Sequence, residues 1–133
     1  MSESLIDIEQ LLSDFQESKS WDKQYRLIIQ LGKKLPALTQ NDKIECNLVN
    51  GCESDAWLVL HKEGDIYHLQ MDSDSRVVKG LMMIILIIFQ GKNTLQIRAI
   101  DINSIFVQLG LFNHLSPSRV NGLHAIVNKI KNV

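Results

Sequence analysis

Along the chain, the spacing of hydrophobic positions changes at residue 47. Before it, apolar residues recur at helical intervals. Leu5, Ile8, Leu12 and Phe15 fall on one face of a first helix, with Ser4 and Asp7 in capping-box spacing. Ser20 is placed to cap a second helix starting at Trp21, in which Trp21, Tyr25, Ile28, Ile29 and Gly32 share a face. Leu35–Pro36 closes it, because the residue before proline is pushed out of the α region. Residues 37–46 are polar and read as a loop. From Asn47 the alternation shortens to that of strands. Leu48–Val49 reads as a short strand stopped by the turn dipeptide Asn50–Gly51. Ala56 to Lys62 and Ile66 to Met71 read as the arms of a hairpin around a three-residue loop, Glu63–Gly64–Asp65.

Residues 72–91 pull two ways. Their isoleucines favour a strand by propensity, yet Asp72-Ser-Asp-Ser75 resembles an N-cap cluster and Gly91 sits where a helix wants a C′ glycine. The stretch is also long for a strand, so it is predicted as a helix, apolar nearly all round in its second half and therefore central in the core. Short helical pieces follow around Thr94–Ala99 and Asn103–Leu109. Ser116–Pro117 then opens a last helix with Leu123, Ile126, Val127 and Ile130 on one face. The expected fold class is α+β, with helices packed on a small three-stranded antiparallel sheet.

Composition narrows the function classes. A chain of 133 residues is the size of one domain, read here as a single unit over 1–133. Net charge is −1 and the longest basic run is Lys33–Lys34, which leaves no footprint for nucleic acid or an anionic membrane. The most apolar stretch, Leu81 to Phe89, is nine residues, far short of the roughly 20 that span a bilayer. The N-terminus carries acidic residues where a signal peptide would be basic, so a cytoplasmic location is expected. There thiols stay reduced, which disfavours a structural disulfide between the two cysteines.

The candidate chemistry is sparse. The sequence has no P-loop, dinucleotide glycine fingerprint, H-E-x-x-H or G-x-S-x-G. Cys46 and Cys52 lie six apart and His61 and His68 seven apart; structural zinc sites use shorter ligand pairs. The two histidines, on opposite arms of the hairpin, could face different sides, and no metal is expected. Two cysteines do not hold an iron–sulfur cluster alone. Cys52 stands apart because Asn50–Gly51 precede it and Glu53–Ser54–Asp55 follow it. Such neighbours mark a loop tip, and sulfur exchange needs access as well as thiolate. Glu53 and Asp55 oppose deprotonation, so a cation must come from elsewhere in the fold or from a partner. Cys46, at the entrance to the first strand, reads as structural.

Four stretches taken together resemble a known family. They are WDKQYRLIIQLGKKLP at 21–36, VNGCESDAWL at 49–58, DSDSRVVKGL at 72–81 and LSPSRVNGL at 115–123. In this order they resemble the SufE-type sulfur acceptors, the group that includes SufE and CsdE. The resemblance implies a fold like that of IscU-type scaffolds. It also implies a protein that accepts sulfane sulfur from a PLP-dependent cysteine desulfurase of the SufS or CsdA kind, stimulates that enzyme, and passes sulfur on for iron–sulfur cluster assembly. It would be a covalent acceptor rather than an enzyme with its own small substrate, and would carry no cofactor, the PLP belonging to the desulfurase. The acceptor would be Cys52. Gly51 would let the loop bend towards the partner, Glu53 and Ser54 would belong to the same partner-facing loop, and Arg119 is the candidate for the missing cation.

Two positions depart from the family pattern: Ala56 replaces an expected valine, and Cys46 has no counterpart. Three alternatives stay open. One is a cluster scaffold, which the cysteine count disfavours. Another is a redox-sensing or peroxidase-like thiol protein, with Cys46 resolving Cys52. The last is a relay to tRNA or cofactor thiolation.

Overall fold

The computed structural model describes residues 8–18, 20–36, 38–44, 47–49, 55–111 and 115–132. Two helices lead, α1 (Ile8–Glu17) and α2 (Trp21–Gly32), followed by a 3₁₀ turn over Gln40–Asp42. A hairpin of β1 (Ala56–Glu63) and β2 (Ile66–Ser73) comes next, then α3 (Arg76–Phe89), α4 (Thr94–Ala99), α5 (Ile102–Leu109) and α6 (Pro117–Lys131). The helix starts follow capping chemistry. The side chains of Ser20, Ser75, Asn93, Asp101 and Ser116 each accept a backbone N–H from the first turn that they precede.

The long apolar stretch is a helix, as its flanking caps predict, and it is the axis of the domain. Eleven of the fourteen residues of α3 are buried, and α2, β2 and α6 all pack on it, while α1 lies on α5 and α4 on α6. The α2–α3 crossing is set by two glycines. A Cβ on Gly80 would run into the carbonyl oxygen of Ile28, and one on Gly32 would lie 2.8 Å from the amide nitrogen of Gly80. The buried seam of α2 is therefore Ile28, Leu31 and Gly32. Tyr25, expected on that face, is exposed. In α1 the buried positions are Leu11 and Phe15, with Ile8 and Leu12 only partly covered.

The hairpin pairs Ala56 with Ser73 through Glu63 with Ile66. This leaves a two-residue turn, Gly64–Asp65, shorter than the three-residue loop expected, because pairing extends to Glu63. Positive φ falls on Gly64 alone of the two turn residues, at 64°. Ala56, Leu58, Leu69, Met71 and Ser73 face the core. Trp57 and Val59 are half-buried on the opposite face, where His61, Glu63, Ile66, His68 and Gln70 are exposed.

The expected third strand is not formed among the described residues. Leu48 makes one isolated bridge to Trp57, and the Val49 N–H donates to the Ala56 carbonyl at 2.7 Å. Residues 47–49 follow closely on the 3₁₀ turn, so the segment reaches β1 for a single bridge rather than a ladder. The other edge of the sheet is closed by side-chain mimicry. The Gln90 amide accepts from the Leu69 N–H at 2.7 Å and donates to the Leu69 carbonyl at 3.3 Å, as a neighbouring strand would. Tyr67 bridges to Lys92 just beyond. Gly91, with φ of 73°, gives its N–H to the Tyr67 carbonyl at 3.0 Å. The C′ glycine anticipated from sequence thus turns the chain straight into the sheet edge.

Candidate functional site

Residues 50–54, which include Gly51, Cys52, Glu53 and Ser54, lie outside the described residues, as do Glu45 and Cys46. The framework that carries the segment is described on both sides. Its N-terminal stem is held where Val49 bonds to Ala56. Its C-terminal stem is held at Asp55, whose carbonyl accepts from the Ser73 hydroxyl at 2.7 Å and from the Asp74 N–H at 3.3 Å. The Ser73 oxygen accepts in turn from the Ser75 N–H at 3.2 Å, and Ser75 caps α3 through the Val78 N–H at 3.3 Å. One relay of hydroxyls and amides therefore connects the segment after Cys52 to the start of the central helix.

This relay corrects the reading of Asp72-Ser-Asp-Ser75 as a cluster of caps. Ser75 alone caps the helix. Asp74 is exposed and acts through its backbone. Asp72 points elsewhere and is the most constrained charge in the described structure. Its side chain is 3% exposed and lies 3.3 Å from Lys43 and 3.5 Å from Lys79. It accepts the Leu38 N–H at 3.1 Å and the Ser73 N–H at 2.8 Å. Burial alone would raise its pKa, but the amide bonds from Ser73 and Leu38, with Lys43 and Lys79, outweigh it and hold the carboxyl below its ordinary value. Lys43 also lies 5.2 Å from the centroid of the Trp57 ring, and Trp57 is the register partner of Asp72. Asp72 thereby joins the segment before Cys46, the hairpin and α3. No sequence signal distinguished this buried aspartate from Asp74, its neighbour in the same polar run.

Arg119 sits in the first turn of α6, half-buried, with its backbone N–H capped by the Ser116 hydroxyl at 3.3 Å. Among the described residues no carboxylate pairs with its guanidinium. His61 and His68 do not face different sides: they are direct partners across the strands, on the exposed face. His68 lies 3.8 Å from Glu63. Among the described residues no group of three His, Cys, Asp or Glu is placed to hold a metal ion, and no helix is long and apolar enough to cross a membrane.

The described geometry defines an α+β domain that carries a Gly-Cys segment between a hairpin strand and a single bridge. Its solved structural neighbours include a hypothetical protein from Thermus thermophilus, known from a solution structure. The two superpose with a TM-score of 0.75 over 94% of this chain and 90% of that one, at 16% identity. That likeness speaks for the fold alone. Two relatives are similar in sequence. An uncharacterized SufE-like protein of Rhizobium meliloti strain 1021 is 38% identical, covering 96% of this chain and 94% of its own. A second uncharacterized SufE-like protein, from Rhizobium etli, is also 38% identical, covering 96% of this chain and 88% of its own. The family model described as "SufE: Fe-S metabolism associated domain" matches residues 9–133, and the chain belongs to the SufE family.

Proposed function

We propose that the protein is a sulfur acceptor that takes persulfide sulfur from a PLP-dependent cysteine desulfurase onto Cys52, stimulates that enzyme, and hands the sulfur on for iron–sulfur cluster assembly. The observation that carries this reading is the family match over residues 9–133, with Cys52 supplying the Gly-Cys pair of the family motif. The anchoring of both stems of residues 50–54 supports it, since a carrier loop must present its sulfur from a fixed base.

In the transfer step the Cys52 thiolate attacks the terminal sulfur of the desulfurase persulfide. The sulfur–sulfur bond of the desulfurase breaks, its electron pair leaves with the desulfurase cysteine as thiolate, and the new bond makes Cys52–S–SH. The hydrogen stays on the transferred sulfur, so no oxidant or reductant enters. The rate follows thiolate fraction and access. Gly51 is of the residue type that tolerates backbone angles others avoid, and it is proposed with Glu53 and Ser54 to meet the partner. Arg119 is the cation proposed to favour the thiolate. The protein itself needs no cofactor and acts in the cytoplasm.

Intact-protein mass spectrometry after incubation with a cysteine desulfurase, PLP and cysteine tests this. The expected result is a reductant-sensitive gain of one sulfur in the wild type and in Cys46→Ser, absent in Cys52→Ser. No gain with any of several desulfurases would remove the reading.

A further inference from the structure

Close packing of α2 on α3 brings the end of one helix beside the start of the other. In the angle between them lies a pocket of about 160 Å³, lined by Ile29, Gly32, Lys33, Leu35, Arg76 and Lys79. Three of its six lining residues are cationic. Lys33 and Arg76 are exposed, and among the described residues no carboxylate pairs with either. Lys79 has Asp72 at 3.5 Å. Three positive charges thus line one pocket that no carboxylate lines, in a chain whose net charge is −1. Arg76 and Lys79 are three apart on one helix, a spacing at which like charges repel. The first turn of α3 adds the positive end of its dipole. Within the fold, this arrangement is unfavourable; an anion in the pocket would relieve it.

The lining also selects the kind of anion. Ile29, Leu35 and the bare backbone of Gly32 form an apolar wall, which suits a carboxylate carried on a methylene stem. The position adds a third argument. Arg76 follows directly on Ser73–Ser75, the residues that hold Asp55 and so the stem after Cys52. A macromolecule that reaches Asp55, the described start of that stem, comes within a few residues of Arg76.

We infer that the Lys33–Arg76–Lys79 pocket is a docking subsite for an acidic side chain, Asp or Glu, on the surface of the cysteine desulfurase. The inference rests on the functional reading above and names a point of partner recognition within it. Charges at the margin of an interface act mainly on association rate and salt dependence. The contact therefore steers the desulfurase and takes no part in the sulfur step.

Arg76→Glu is the informative variant, because its effects on folding and docking have opposite signs. A glutamate in the first turn of α3 complements the helix dipole, so thermal stability is expected to hold or rise. Docking loses an attraction and gains a repulsion. The concentration of the protein that half-saturates stimulation of a cysteine desulfurase is expected to rise about three- to tenfold at low ionic strength, and the difference is expected to shrink as salt screens it. Lys33→Glu adds to the effect, whereas Lys23→Glu, at the far end of α2, leaves the half-saturating concentration unchanged.

A wild-type half-saturating concentration in Arg76→Glu would overturn the inference. So would a loss that persists undiminished at high salt. Cys52→Ser separates the two ideas: it is expected to take up no sulfur while binding the desulfurase with wild-type salt dependence. If the wild type itself neither binds nor receives sulfur, the functional reading falls and the inference falls with it. If sulfur transfer stands and charge reversal does nothing, only the docking subsite is lost.

Discussion

Replacing Asp72 by Asn keeps the size of the side chain and removes its charge. In the native protein the carboxylate accepts two backbone N–H groups and faces two lysines. An asparagine oxygen satisfies one of those N–H groups, while its NH₂ is turned against the other. One hydrogen bond to a charged group is therefore lost, roughly 1.5–3 kcal/mol. The ion pairs contribute less than a fully buried pair would, because Lys43 and Lys79 are 21% and 37% exposed and water screens them; about 0.5 kcal/mol each is appropriate. The expected destabilisation is about 2.5–4 kcal/mol, or about 10 °C in Tm for a chain of this size.

Urea denaturation across pH is the assay, and the sign of its pH dependence follows from the direction of the shift. The folded pKa of Asp72 is depressed, so its contribution is fully present above the unfolded value, near 3.9. It is lost as pH falls through the folded pKa. The gap between wild type and Asp72→Asn is thus flat from neutral pH down to about 5 and closes in stronger acid. A gap under about 1 kcal/mol at neutral pH, or one that acid does not close, would refute the ion-paired reading of this carboxylate.

Other substitutions probe the frame around the candidate loop. Gly80→Ala forces a Cβ into the Ile28 carbonyl and is expected to destabilise by about 1–3 kcal/mol as α2 and α3 separate; chemical denaturation reads it. Gln90→Ala removes both amide bonds to Leu69 and is expected to cost about 1–2 kcal/mol, with faster hydrogen exchange at the Leu69 amide than at its strand neighbours. Ser73→Ala frees the Asp55 carbonyl from its 2.7 Å bond and is expected to destabilise by about 1 kcal/mol, with faster exchange at the Asp74 and Ser75 amides.

The legibility of the fold varied with the reach of the interactions behind it. Helix starts at Ser20, Ser75 and Ser116 were readable because a cap is a local bond within three residues. The identity of α3 was readable for the same reason, its caps deciding against the strand propensity of its isoleucines. The close approach of α2 to α3 was not readable, since it depends on a glycine contact between helices far apart in sequence. The missing strand at Leu48 escaped because β-pairing is decided by what lies alongside, not by the segment's own residues. At the candidate site, Cys52 lies outside the described residues, and its reading rests on its polar neighbours and the family motif. Asp72 was not, because its partners come from residues 38, 43 and 79. The cationic pocket was equally hidden, since Lys33 and Arg76 meet only when α2 lies on α3.

The central helix has a further consequence, for the chain before it is folded. Leu81 to Phe89 contains no charge, no proline and no glycine, and it is rich in β-branched side chains. Such a segment has the signature of a steric zipper once it is out of its helix. In the native domain it is sequestered by α2, β2 and α6, and Lys79 and Lys92 flank it as gatekeeper charges. Opening the α2–α3 crossing would expose a self-complementary strand to other copies of itself. Where no denaturant keeps the opened chains apart, loss of the fold is therefore expected to end in aggregation rather than in a reversible unfolded state.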